Sequence, residues 1–204
     1  CDDGASEKAR LDAAVSYVES NAGSPTARRT ITDVDGCNDC HNRMLETFQK
    51  HGGTRSVNSP EACVACHNNE FATSDRSREM AIMTHALHAP SIRESAHGSY
   101  TKARLQYPGD LSDCDTCHVS NSQLLPLPVQ RLPILTKRDP DKYTTPTAGV
   151  CGACHDDGAA RSHMQDTGGG LFDVDRDSAL AAIETCDGCH RTGGSAAVED
   201  VHNK

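Results

Sequence analysis

The chain has 204 residues, a formal charge of -9, 36% hydrophobic and 3% aromatic residues, sixteen glycines and no tryptophan. An acidic chain of this kind lacks the basic patch of a nucleic-acid binder and gains nothing electrostatically at an anionic lipid surface. No stretch reaches the apolar length of a membrane-spanning helix, and side chains of this composition make a poor core by themselves.

Cys1 is the only one of eleven cysteines outside a repeated motif, and a polar run, Asp2-Asp3-Gly4-Ala5-Ser6, follows it. This reads as the lipid-bearing start of a processed bacterial lipoprotein; the alternatives are a leftover thiol or an arbitrary start of numbering. Residues 6–20 are predicted to be helical. Ser6 is the N-cap, Glu7 sits in the first turn, Leu11, Val15 and Val18 share a face, and Gly23 with Pro25 ends the run. A tether and helix are therefore expected over 1–24, ahead of one domain over 25–204.

That domain carries five copies of one word, Cys-x-x-Cys-His: Cys37, Cys40 and His41; Cys63, Cys66 and His67; Cys114, Cys117 and His118; Cys151, Cys154 and His155; Cys186, Cys189 and His190. Two cysteines three apart reach the two vinyl groups of one porphyrin edge, and the next histidine offers an imidazole nitrogen to the iron. The word is the attachment signature of c-type haem. Paired C-x-x-C units also suggest zinc, but five units leave one unmatched. A disulfide framework, like zinc, gives no reason for a histidine after every second cysteine.

Between the motifs, the chain supplies further histidines. His51-Gly52-Gly53 follows the first motif, the glycines permitting a sharp turn that presents His51 as an axial ligand. Asn68-Asn69 marks a turn. Residues 76–89 are predicted to be a helix stopped by Pro90, with His85 and His88 three apart on one face, suited to ligating two different haems. Met80 and Met83 on the same helix are read as packing against porphyrin rather than as ligands. His97 lies in a polar stretch. Residues 124–146 are proline-rich and predicted to be an extended, polyproline-like loop. Arg161 to Met164 contributes His163, Gly168-Gly169-Gly170 breaks the chain, and residues 178–185 form a short helix. His202 lies near the end of the chain.

Eleven histidines less five in motifs leave six: His51, His85, His88, His97, His163 and His202. Five bis-histidine haems need five of these, and His97 is taken as the spare because His85 and His88 already serve its region. An iron with both axial positions filled suits electron transfer, whereas small-molecule catalysis wants a vacant position. No motif replaces its histidine by lysine, and there is no nucleotide loop or nucleophile elbow. The chain thus reads as an electron-transfer protein rather than a catalytic oxidoreductase. With roughly forty residues per haem, the macrocycles must lie close together and serve as the core. The expected fold is mostly coil with short α-helices and little or no β-sheet, organised around five closely packed haems, and the chain without haem is expected to be unfolded.

The order of these elements resembles the pentahaem domain of the outer-membrane multihaem cytochromes of the OmcA/MtrC type. The matching residues are His51-Gly52-Gly53, Met83-Thr84-His85-Ala86-Leu87-His88, Tyr107-Pro108-Gly109, Tyr143-Thr144-Thr145-Pro146, Ser162-His163-Met164 and Val201-His202. The resemblance implies bis-histidine haem c and electron transfer at the cell surface toward extracellular acceptors such as metal oxides or flavins. Other cytochromes or outer-membrane electron-transfer proteins are the implied partners; the one membrane attachment expected is the lipid read above at Cys1. Family members of that type carry two such modules beside β-barrel domains; one module here leaves room for a relay subunit. A filament subunit assembled from copies of the chain is the alternative reading, and a reductase with one open haem the third.

Overall fold

The computed structural model describes residues 10–11, 29–41, 56–57, 61–64, 66–98, 106–127 and 131–202. It divides into two compact units. The first comprises Cys1–Cys66 and Cys114–Gln123, the second His67–Asp113 and Leu124–Lys204. The division falls inside the second Cys-x-x-Cys-His motif, between Cys66 and His67.

In the first unit, β1 (Arg10–Leu11) pairs in parallel with β2 (Ser56–Val57). Of the helix expected over 6–20 only Arg10 and Leu11 are described, and they are extended. Pairing with Ser56 and Val57 overrides the apolar spacing there, because helix propensity is a weak preference that tertiary contacts outweigh. Helix α1 (Val34–His41) starts where the Asp33 carboxylate accepts from the Gly36 amide at 2.7 Å. A side chain at Gly36 would have its Cβ 2.9 Å from the Thr116 carbonyl, so the close approach of the third motif requires glycine. Helix α2 (Glu61–Val64) carries Cys63, and a single 3-10 turn (Cys114–Thr116) opens the third motif.

The second unit contains α3 (Met80–His88), β3 (Ile134–Lys137), β4 (Lys142–Thr144), α4 (Pro146–Cys151), α5 (Gly158–Asp166), α6 (Arg176–Ala181), α7 (Asp187–His190) and α8 (Val198–His202). Helix α3 begins four residues later than the apolar pattern suggests. Residues 71–78 double back instead: Thr73 N–H donates to the Arg76 carbonyl and Arg78 N–H to that of Phe71. The Glu79 carboxylate then caps the helix through the Ile82 amide at 3.0 Å.

The proline-rich stretch is not a continuous extended loop. It contains the antiparallel hairpin β3–β4, with Ile134 opposite Thr144 and Leu135 opposite Tyr143. The prolines punctuate the hairpin without interrupting it. Pro133 precedes β3, Pro140 lies in the turn, and Pro146 takes the first position of α4, where its missing N–H costs nothing. The β-branched and aromatic residues between them make the strands. Glu184 supplies the cap that Thr145 does not, its carboxylate accepting from the Thr147 and Ala148 amides at 2.8 and 2.7 Å. Helix α6 likewise starts earlier than expected, at the Asp175 cap, and the chain is extended from Ala182. Thr185 N–H then reaches the Gly168 carbonyl at 2.9 Å, and Gly169, at φ +67°, passes so close to the Ile183 carbonyl that any Cβ would collide.

Seven of the buried apolar side chains form two small clusters, Ala72, Leu135, Tyr143 and Ala179, and Ile82, Ile134 and Ala153; others, such as Val64 and Met164, are buried outside them. Among the described residues, Leu135 is the one large apolar side chain that is fully buried.

Candidate functional site

The same local geometry recurs at the motifs. In the third, fourth and fifth, the histidine amide donates to the carbonyl of the first cysteine at 2.9, 2.9 and 3.0 Å, closing a single helical turn. Inside that turn the Cys154 amide reaches the Cys151 carbonyl at 3.1 Å and the Cys189 amide the Cys186 carbonyl at 3.3 Å. The turn places the two cysteines and the histidine on adjoining positions of one face. Motif one lies wholly on α1, with Cys40 one residue before its end. The second spans α2 and the turn after it; the fourth begins at the last residue of α4; the fifth lies on α7 and the residue before it.

None of the ten motif cysteines, all among the described residues, is joined in a disulfide. Cys40, Cys66, Cys117 and Cys189, each the second cysteine of its motif, are exposed, and their partners Cys37, Cys63, Cys114 and Cys186 are half-buried. The fourth motif reverses this order: Cys154 is half-buried and Cys151 exposed. The close spacing in sequence therefore does not give the five motifs one common environment. Ala153, between these two cysteines, is itself buried against Ile82 and Ile134. Burial, then the charges of Cys117, Cys63 and Asp33, push the Cys37 thiol up to about 11. In the second unit, Cys151 is crowded by protein although solvent reaches it; that burial, then Cys186, Glu184 and Cys154, raises its thiol.

The motif histidines are oriented through Nδ1. His67 lies 2.7 Å from the Arg78 carbonyl and His190 2.8 Å from the Ala196 carbonyl. A carbonyl only accepts, so Nδ1 carries the proton and Nε2 keeps its lone pair for a metal. His88 and His202 are held in the same way by the Thr84 and Val198 carbonyls, one turn back on their own helices, at 2.8 and 2.9 Å. His118 differs: its Nδ1 meets the Ser122 hydroxyl at 3.1 Å.

Two of the histidines expected as distal ligands face motif histidines. The His202 ring lies 6.0 Å from that of His155, centroid to centroid, and the His163 ring, on α5, 6.0 Å from that of His190. Two imidazoles on one metal, each bonded at roughly 2 Å with its nitrogen about 1 Å from the ring centre, put the centroids ~6 Å apart. Burial, then His202, lowers the pKa of His155. Its loop is fixed by Asp156, whose carboxylate accepts from the Glu94 and Ser95 amides at 2.8 and 2.9 Å and pairs with Arg93 at 3.1 Å. Burial alone would raise Asp156, but these hydrogen bonds and the guanidinium hold it below the usual carboxylate range.

His85 and His88 both lie on α3, and the His88 ring meets the Tyr107 ring edge-on at 5.8 Å. His51 lies outside the described residues, as does Cys1. Among the described residues, no three or more His, Cys, Asp or Glu side chains converge as a zinc site requires.

The family model for outer membrane cytochromes of the MtrC/MtrF-like kind, domains II/IV, matches residues 29–203. The chain belongs to this family. Among solved structures, this MtrC/MtrF-like domain is similar to the crystal structure of MtrC from Shewanella baltica OS185, at 18% identity and a TM-score of 0.52 over 83% of this chain and 28% of that one. It is also similar to the crystal structure of the outer membrane decaheme cytochrome OmcA, at 22% identity and a TM-score of 0.53 over 90% of this chain and 27% of that one. The chain therefore spans little more than a quarter of the length of either, and the likeness concerns the fold. A comparison with curated proteins finds no match. The OmcA/MtrC resemblance read from residues is thus the family found, and the short helices with little β-sheet are as expected, the two small two-stranded sheets being the strand content of the described residues. The residues present fit haem c: unbridged cysteine pairs on single turns, each followed by a histidine, with Nδ1 protonated where a carbonyl holds it.

His97 is buried, at 7% exposure, and its Nε2 has no hydrogen-bond partner among the described residues. Burial first, then Arg93, Arg76 and Arg78, pushes its pKa down to about 4. The folded state therefore refuses a proton that the unfolded chain accepts at its ordinary value of 6.5. The contribution of His97 to stability is full above pH 6.5 and is lost as pH falls from there to about 4. Denaturant titrations across that range are expected to show this slope in the wild type and a flatter one in His97→Asn; equal slopes would refute it.

Proposed function

We propose that this chain is an electron conduit of the cell surface, carrying five haems c, each attached through the two cysteines of one motif and ligated by two histidines. The thioether pairs are Cys37 with Cys40, Cys63 with Cys66, Cys114 with Cys117, Cys151 with Cys154 and Cys186 with Cys189. His41, His67, His118, His155 and His190 are the proximal ligands. His202 completes the His155 centre and His163 the His190 centre, while His51, His85 and His88 serve the remaining three. The observation that carries this reading is the pair of facing imidazoles at 6.0 Å, His155 with His202 and His163 with His190.

Bound haem supplies a one-electron couple at each iron. The protein's part is to hold that couple in place. The cysteine pairs would hold the haem, the carbonyls of Arg78 and Ala196 lock the His67 and His190 tautomers so that Nε2 would be free to ligate, and short helices carry the histidines that would complete each centre. With both axial positions filled by side chains, exchange of an electron needs little rearrangement, and no position is left for a small substrate. Membership of an outer-membrane cytochrome family supports an extracytoplasmic location; other cytochromes are the proposed partners, and metal oxides or flavins the proposed acceptors.

The test is rapid mixing of the fully reduced protein with a soluble ferric chelate, with and without carbon monoxide. Complete reoxidation of all haem absorbance, unaffected by the gas, is expected. Rapid carbon monoxide binding at several haems would overturn the bis-histidine assignment.

A further inference from the structure

We infer that Ser122 is a positioning residue for His118: its hydroxyl fixes which ring nitrogen is left for iron and sets how strongly that nitrogen donates, tuning the third haem separately from the others. The inference rests on the ligation proposed above.

The hydroxyl sits 3.1 Å from His118 Nδ1 and 2.6 Å from the Ile31 carbonyl. A hydroxyl has one proton, and a carbonyl can only accept, so that proton goes to Ile31. The oxygen lone pairs are then what His118 meets, and Nδ1 must be the protonated nitrogen. Ser122 is 4% exposed, which keeps water from taking either role. Its backbone is held from both sides, the Arg29 guanidinium donating to its carbonyl at 3.0 Å and its amide donating to the Val119 carbonyl at 3.1 Å. The Ile31 carbonyl is itself fixed by the Val119 amide at 3.0 Å. The relay thus ties the third motif to the segment that leads into the first, all within one compact unit.

His67 and His190 donate instead to backbone carbonyls, over shorter distances. Pull on the Nδ1 proton makes an imidazole more imidazolate-like and a stronger donor at Nε2, which favours ferric iron. A side-chain hydroxyl is the acceptor that one substitution can remove. Nothing in the Cys-x-x-Cys-His word itself provides it.

Voltammetry of the holoprotein is the test. In Ser122→Ala, one of the five haem waves is expected to move to more positive potential by roughly a tenfold change in its ferric-to-ferrous ratio, about 59 mV for one electron, while the other waves stay. Ser122→Thr, which keeps the hydroxyl, is expected to match the wild type. Unmoved waves in Ser122→Ala, or a shift shared equally by Thr, would overturn the inference. Should the Ala variant fail to assemble, the wild type labelled with ¹⁵N-histidine decides. A His118 Nδ1 proton that persists in D2O is expected; rapid exchange, or a proton on Nε2, would overturn it. Intact mass and haem absorbance on the same samples separate the two ideas. Missing haem refutes the ligation reading, and a full complement with unmoved potentials refutes only the role of Ser122.

Discussion

Without attached haem, the chain is expected to show no cooperative unfolding transition and little helical signal, a loss of the entire folding stability, on the order of 5–15 kcal/mol for a domain. The reason is visible in the core. The two apolar clusters hold seven residues, three of them alanine, and no described apolar side chain larger than an alanine is fully buried except Leu135. Ile183 is 80% exposed and Ile92 53% exposed, so even the available apolar surface is not gathered in. Helices of four to nine residues cannot stand alone, since nucleation costs more than so few hydrogen bonds return. Porphyrin faces would supply the missing apolar area, making attachment and folding one event, as in small metal-nucleated domains. Far-UV circular dichroism melts of a variant with all ten motif cysteines changed to serine provide the check. A sharp transition like that of the haem-loaded protein would show that side chains suffice.

The second large effect is expected at His202. Replacing it with alanine removes the imidazole facing His155 and opens one axial position. One haem per chain should turn high-spin and bind one carbon monoxide on reduction, where the wild type binds none. His163→Ala should do the same at the centre of His190. His97→Ala should leave the spectrum unchanged, because that imidazole is enclosed by protein and faces Arg76 and Arg93. Carbon monoxide titration by difference spectroscopy reads all three. A low-spin His202→Ala protein that binds no gas would break the proposed pairing.

What the residues alone disclose follows from how local each feature is. The motifs are legible because thioether geometry demands two cysteines at a fixed spacing with histidine next, within one helical turn. The common face of His85 and His88 is legible for the same reason. The reversed exposure of Cys151 and Cys154 is not legible, because it depends on what packs around Ala153 and on nothing inside the motif. The β3–β4 hairpin is hidden because prolines bracket both strands, and a composition dense in proline reads as continuous extended chain until their exact places are known. The early start of α6 turns on the single Asp175 carboxylate that caps it. The matching of His155 with His202 and of His163 with His190 could not be read at all, since partners distant in sequence meet only through the path of α5, α7 and α8. The acceptors that orient the imidazoles are mostly backbone carbonyls, which every residue carries and no motif marks. Ser122 is the exception, a side chain whose role shows only once Ile31 is beside it.

The most direct test is the intact mass of the protein matured in a host that attaches haem c. The polypeptide plus five covalently bound haems is the expected mass. A bare polypeptide, or one carrying fewer than five, would contradict the proposal that iron porphyrins clamped between histidines form the interior of this molecule.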